Sequence, residues 1–407
     1  MWRRIRPILF IFICMCIAWF ILGAIVNFRT YTQDTRLKYA VGQLWGTSQR
    51  QQAPYIYYQT QKLEKIKTSE NGKTVEETKL VTTDHPLNLE SSDIKVKFKL
   101  DYRKKGLLWY STYTVFFTSR YLVKNTTDET RVVYFDYTFP TPEGVYDNFN
   151  FVVDGEKVKD LQPVNGKIWS GLMLSPGQSK YVDVAYESQG MDNWWYVFGN
   201  NVSQIKNFKL AMFTDFHEID FPEYSISPTR KEREGSGWKL TWQYSNLISG
   251  IQIGMDMPKK LNPGPFASRV SFFAPISLFL FLFLMFIITT IRGIRVHSMN
   301  YFFLATGFFS FHLLLSYLVD HVNIHLAMAI CSAVSVGLVI SYIRLVLGIR
   351  FALLETGLSQ FVYLVLFSYA FFLEGYTGLS ITICCILTLF IVMQLTGRID
   401  WDKQLNT

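Results

Sequence analysis

The chain has 407 residues, 49% of them hydrophobic and 18% charged, with 34 Phe, 23 Tyr and 10 Trp. That balance is too apolar for a disordered chain and unusual for a soluble enzyme, so a membrane protein is expected. The formal net charge is +8, but the basic residues are dispersed without a block of like charges, and no nucleic-acid partner is expected.

Arg3, Arg4 and Arg6 precede an uncharged apolar run at 7–28. Crossing a hydrocarbon core takes about 20 apolar residues, because lipid offers the backbone no hydrogen-bond partner. The run is longer than the ~7–15 apolar residues of a cleaved signal peptide. It therefore reads as an uncleaved transmembrane anchor behind a cytoplasmic N-terminus at 1–6. No small-residue lipobox precedes Cys14 or Cys16, and lipidation is not expected.

Residues 29–269 form a long polar insert close to charge neutrality. A short polar helix is expected at 31–50, after which the hydrophobic period changes to two. Segments 95–100, 131–139, 179–186 and 238–244 are rich in Val, Tyr, Phe and Trp with polar residues at alternate positions. Such segments read as half-buried antiparallel strands. Asn71-Gly72, Asp154-Gly155 and Ser175-Pro176-Gly177 supply turn chemistry, since Gly accepts positive φ and Pro fixes a corner. The economical reading is a β-sandwich, or two β subdomains.

The apolar signal returns at about 270–291, 301–319, 326–343, 353–373 and 379–396. With the anchor that makes six spans, the last five forming a bundle over 270–397 that ends in a short tail at 398–407. Arg292 and Arg295, then Arg344 and Arg350, then Arg398 and Lys403 fall on alternate connections, on the same side as the N-terminal arginines. The other short connections, 320–325 and 374–378, carry no Lys or Arg. Positive charge is retained on the cytoplasmic side, so both termini are expected there and the insert outside. The expected fold class is thus a polytopic α-helical membrane protein of six spans with a large inserted all-β, sandwich-like periplasmic domain.

All five cysteines lie in apolar runs, which excludes a disulfide framework in the insert and favours packing over metal binding. Trp194-Trp195-Tyr196 suggests a ligand platform, but neighbours in a strand project to opposite faces, and core packing or contact with the bilayer interface is the simpler reading. The stretch 215–220 gathers Asp215, His217, Glu218 and Asp220 and reads as a solvated loop rather than a metal or acid–base site. Asn125-Thr126-Thr127 and Asn201-Val202-Ser203 match the glycosylation acceptor, a tripeptide too frequent by chance to weigh. No catalytic, cofactor or metal signature is found.

Ionisable groups near a bilayer core are costly and mark function by default. His312 falls inside a span about two turns before Asp320, and His321 follows it; these three are the candidate polar membrane site, with a neutral His312 hydrogen-bonded to a neighbouring helix as the simpler reading of that residue. Glu355 is expected at the inner interface, paired with Arg350. Interrupted helices and inverted repeats typical of transporters are not apparent in the sequence.

Several strings, together with the order of parts, resemble the inner membrane protein CreD family, described as cell envelope integrity proteins. VHSMNYFFLATGFFSFHLLLSYLVDH at 296–321 is similar to the family's His-Pro-x-x-Tyr opening and closing Ser-Glu-His stretch, with Ser298 in place of the proline and Asp320 in place of the glutamate. TGRIDWD at 396–402 resembles the family's basic-Ile-Asp-Trp ending. DYRKKGLLWYSTYTV at 101–115 is similar to an Arg-x-Arg-Gly segment running into a strand, with Lys105 where arginine is usual. The resemblance implies a Gram-negative inner membrane, a periplasmic domain and a role in envelope homeostasis or stress, and brings no catalytic residues.

The leading expectation is a non-enzymatic envelope protein presenting a periplasmic β domain that binds or senses envelope components, its partners being the bilayer and other envelope proteins or wall components. Two alternatives stay open: a proton- or solute-conducting transporter using His312, Asp320 and His321, and a membrane-embedded envelope-modifying enzyme using acids such as Asp215 and Asp220.

Overall fold

The computed structural model describes residues 2–70, 73–106, 108–159, 161–199, 203–373 and 375–397. Asn71-Gly72, Asn201-Val202, Glu374 and the tail with Arg398 and Lys403 lie outside the described residues. The chain divides into two compact units, one of Met1–Arg36 and Leu261–Thr407, the other of Leu37–Lys260.

The first unit is helical. Six helices are long and apolar enough to cross a membrane: α1 (Trp2–Trp45), α2 (Pro263–Ile291), α3 (Ser298–Leu318), α4 (Ile324–Leu347), α5 (Ile349–Phe372) and α6 (Thr377–Thr396). The anchor and the polar helix expected after it are one uninterrupted α1, and the boundary between the units falls within it. Pro263 sits in the first turn of α2, where its missing N–H costs nothing. Asn323 caps α4 by accepting from the His325 N–H. Gly348, at φ 85, ends α4 in a conformation that glycine adopts without strain. α5 is irregular, with π-helical stretches at Ala352–Gly357 and Phe361–Leu366.

The core of this unit draws on every helix, from Trp19 and Val26 through Phe281, Phe308, Cys331 and Leu364 to Val392. Close approach is helped by small residues, as in soluble and membrane bundles alike. Gly264 faces Thr30, Gly23 faces the Phe272 ring, and the Ser268 hydroxyl donates to the Gly23 carbonyl at 3.1 Å. Many apolar side chains remain on the outside, Phe10, Phe20, Ile386 and Phe390 among them, as a surface solvated by lipid requires.

The second unit is a β structure of three sheets. Its strands are β1 (Gln49–Gln52), β2 (Tyr55–Glu70), β3 (Lys73–Leu87), β4 (Ser91–Lys105), β5 (Leu108–Lys124), β6 (Arg131–Thr138), β7 (Tyr146–Val153), β8 (Glu156–Lys157), β9 (Lys167–Leu174), β10 (Ser179–Met191), β11 (Asn193–Val197), β12 (Ser203–Phe213), β13 (Arg230–Glu234), β14 (Gly237–Ser249) and β15 (Ile253–Asp256). The sheets run β13-β14-β12-β4-β5-β10-β7-β8, β3-β2-β6-β9 and β1-β11-β15. The period-two segments are all strands. Their pairing is mostly antiparallel, as expected, but β4–β12 and β1–β11 are parallel. Parallel neighbours need a long crossover, and 97 residues intervene between β4 and β12 and 140 between β1 and β11.

Alternation drives the layers together. In β4, Ile94, Val96 and Phe98 are buried while Lys95, Lys97 and Lys99 are exposed. The inward rows of all three sheets merge into one core, through contacts such as Tyr121–Phe135, Phe135–Phe151 and Phe98–Trp194. The insert is therefore one sandwich-like body rather than two subdomains. Asp154 and Gly155 turn β7 into β8 with φ 48 and 87, the two positive values a tight hairpin requires. Gly177, at φ 73, turns β9 toward β10, closed by the Gln178 N–H donating to the Ser175 carbonyl. At one margin of the largest sheet, β13 reads Arg-Lys-Glu-Arg-Glu and is exposed throughout. The last turns of α1 belong to this unit, where Leu37, Val41 and Trp45 pack with Leu108, Tyr110 and Met191.

Candidate functional site

His312, Ser316 and Asp320 recur at four-residue spacing, so they share one side of α3 and its C-terminal end. α1 covers that side. Trp19, fully buried, sets its ring edge-on to the His312 imidazole at 5.4 Å, and Phe308 and Phe311 complete the enclosure. His312 is 1% exposed, and its Nδ1 has no hydrogen-bond partner among the described residues; the same holds for the Trp19 indole N–H. The Ser316 hydroxyl turns back on the His312 carbonyl at 2.7 Å.

Arg29 closes this line. Its guanidinium donates to the Ser316 carbonyl at 3.0 Å and to Asp320 Oδ2 at 2.7 Å, and lies over the Tyr317 ring at 5.5 Å. Two charges that would be costly near lipid thus neutralise one another, one from α1 and one from the end of α3. The arrangement brings Asp320 to a cation, not to His312, which stands two turns away among aromatic rings. His321 is exposed, and its backbone N–H closes the turn onto the Leu318 carbonyl. Chemically, the set can lock α1 to α3.

Deeper in the bundle lie polar contacts that the sequence reading did not single out. Gln360 of α5, fully buried, donates to the Ser335 hydroxyl of α4 at 2.9 Å, and Ser335 donates to the Gly307 carbonyl of α3 at 2.6 Å. Tyr363 shares a 2.8 Å hydrogen bond with Thr388 of α6, while Ser277 of α2 donates to the Tyr363 carbonyl. Gln360 falls between the two π-helical stretches of α5, geometry often found where a helix is shaped for a purpose. An uncharged amide in the middle of an apolar run was the available signal. Glu355 does not pair with Arg350: it pairs with Arg292 at the end of α2. The end of α2 brings the Arg292 guanidinium alongside Glu355, a long-range contact that local spacing does not reveal.

The candidate acids of the β unit are separate from one another. Asp215 Oδ1 accepts from the Leu100 N–H at 3.0 Å, and Asp220 Oδ1 accepts from the Phe221 N–H at 2.9 Å. Asp220 also meets Asp256, whose N–H donates to its carbonyl. Burial first, and then the Asp220 charge, raise the Asp256 carboxyl above the usual range. Trp194 and Tyr196 are buried in the core while Trp195 points the other way, under the Arg50 guanidinium at 5.3 Å. Asn125 spends its amide on the Glu129 and Leu174 carbonyls. Among the described residues no group of three or more His, Cys, Asp and Glu could hold a metal ion, and the five cysteines are free.

The fold defines a polytopic helical membrane protein that carries a large β-rich body. Residues 222–402 match the family model of the inner membrane protein CreD. The match takes in the last strands and the five spans after them, including the 296–321 string; the 101–115 string lies outside it. No curated protein matches the chain. Among solved structures, a Legionella pneumophila protein described as a nutrient binding protein is 11% identical, with a TM-score of 0.31, over 48% of this chain and 71% of its own. An M1 zinc metallopeptidase from Deinococcus radiodurans is 8% identical, with a TM-score of 0.25, over 70% of this chain and 92% of its own. Likeness this low assigns neither fold nor activity.

Proposed function

We propose that the chain is a non-enzymatic protein of the bacterial inner membrane whose β unit stands on the periplasmic side and binds or senses an envelope component, in the manner of an envelope-integrity protein. The observation that carries the reading is that Leu37–Lys260 is a compact unit with its own core, inserted between the first and second spans. The basic connections at Arg292, Arg295, Arg344 and Arg350 favour the cytoplasm for the opposite side. That Asp215 and Asp220 are each tied to backbone N–H groups supports a scaffold over a reaction centre.

The test is a cysteine at Ile248, which is 69% exposed, combined with complementation of a deletion strain under envelope-targeting stress. A membrane-impermeant maleimide should label Ile248→Cys in intact spheroplasts, and the phenotype should require the β unit. Labelling only after permeabilisation would refute the placement, and full rescue by a chain lacking 50–256 would refute the role.

A further inference from the structure

The four-stranded sheet β3-β2-β6-β9 turns one face to the core and the other to solvent. The core face holds Ile56, Val133, Phe135, Ile168 and Leu172, all buried. By the period of two the opposite face should be polar. It carries a series of aromatic rings instead. Tyr55 stacks on Tyr57 at 5.3 Å, Tyr57 on Tyr134 at 5.3 Å, and Tyr134 meets Trp169 at 6.3 Å. The rings at the two ends of the series are the open ones, Tyr55 at 50% and Trp169 at 57% exposure.

Register places a carboxylate between those ends. Asp136 of β6 lies opposite Tyr55 on β2 and opposite Trp169 on β9. With strands about 4.8 Å apart, the two end rings stem from backbones about 10 Å apart with Asp136 midway. Asp136 Oδ1 is shielded from solvent and has no hydrogen-bond partner among the described residues. Burial raises this carboxyl, Lys167 opposes the shift, and Asp84 adds to it. The residue as a whole is only partly buried, so part of its carboxylate stays open to a donor on this face.

We propose that this face binds a glycan chain, with sugar rings seated on Tyr55 and Trp169 and a sugar hydroxyl donated to Asp136. Sugars combine apolar C–H faces with outward hydroxyl donors, which is the alternation the surface offers. A polyproline segment would suit the rings but has no N–H for the carboxylate. A phosphate headgroup would be repelled by it. Gly171, opposite Tyr134 on β9, adds no side chain to the surface. The inference rests on the proposed outward placement of the β unit and names the envelope component it would contact.

The full-length chain in lipid nanodiscs is titrated by calorimetry with three probes: a linear N-acetylglucosamine oligomer, a cello-oligosaccharide and purified murein glycan strands. At least one should bind saturably. Trp169→Leu and Tyr55→Leu should each weaken that binding about tenfold, the worth of one stacked ring, and Asp136→Asn should weaken it as well. Trp169→Tyr should retain it, and Ile248→Ser, outside this sheet, should leave it unchanged. Absence of binding by all three probes, or binding indifferent to Trp169→Leu and Tyr55→Leu, overturns the proposal, as does capture of a proline-rich peptide or anionic vesicles in their place. Met173→Cys, 62% exposed on the same sheet, separates the two readings. Labelling from outside without glycan binding sinks only this inference, while glycan binding with labelling only from the cytoplasmic side sinks only the placement.

Discussion

Tyr137 and Tyr186, from different sheets, donate their hydroxyls to one acceptor, the Gln51 Oε1, at 2.9 and 2.8 Å. Gln51 belongs to the third sheet, and its amide nitrogen donates to the Thr138 and Gln52 carbonyls. One fully buried side chain therefore joins all three layers of the β unit.

Replacing Gln51 with leucine strands both hydroxyls inside the core. Each orphaned donor costs about 1–3 kcal/mol, so Gln51→Leu should destabilise the β unit by about 2–6 kcal/mol. Denaturant titration followed by near-ultraviolet circular dichroism reads the loss, and an unchanged midpoint would mean that the shared acceptor is energetically idle.

The same tyrosines set an alkaline limit. Burial raises Tyr113, Tyr137, Tyr186 and Tyr196 well above the ordinary phenol value of 10.0, and pushes Tyr121 up to about 12. The folded state thus keeps protons that the unfolded chain gives up above pH 10. Stability from this source is complete below that pH and is lost as pH climbs through the folded-state values. Absorbance titration should show buried phenols ionising together with loss of β structure. Ionisation of all tyrosines at ordinary pH with the sheets intact would contradict it.

Arg29 and Asp320 should be coupled. Arg29→Ala leaves a largely buried carboxylate without its cation, and Asp320→Ala leaves the guanidinium with a carbonyl alone. Each single change should destabilise the helical unit more than the double variant's share, with a coupling of about 1–2 kcal/mol in a double-mutant cycle read by unfolding in bicelles. Strict additivity would remove the lock from the description.

His312→Leu is expected to be neutral or slightly stabilising. The imidazole is enclosed by aromatic rings, and an apolar replacement of similar size removes an unpaired polar atom without opening a large cavity. Thermal unfolding in detergent checks this. The transporter alternative adds its own readout, because proton-linked flux in proteoliposomes, were there any, should vanish with the same substitution.

Much of the fold was readable in the residues. Uninterrupted apolar runs marked the spans, since a helix in lipid has few alternatives, and the lysines alternating with Ile94, Val96 and Phe98 declared a strand with one wet face. Asp154-Gly155 announced its hairpin because few pairs tolerate two positive φ values. Distant partners were not readable. Arg29 meets Asp320 across 291 positions, and nothing local in either neighbourhood names the other. The parallel pairing of β4 with β12 depends likewise on tertiary packing. His312 and Asp320 were identified by residue type alone, which says that a charge needs an answer but not which helix supplies it. The aromatic face around Asp136 was hidden for another reason: tyrosines alternating along β2 and β6 look like core until the sheet reveals which side is covered.

β13 has a consequence for crowding in the membrane plane. A sheet margin with free backbone groups invites a strand from a neighbouring copy to zip onto it. Here an incoming segment would have to lie against five consecutive charges of mixed sign, each well hydrated, and could not shed that water cheaply. This margin therefore gives a neighbouring copy no ready place to extend the sheet into a fibre.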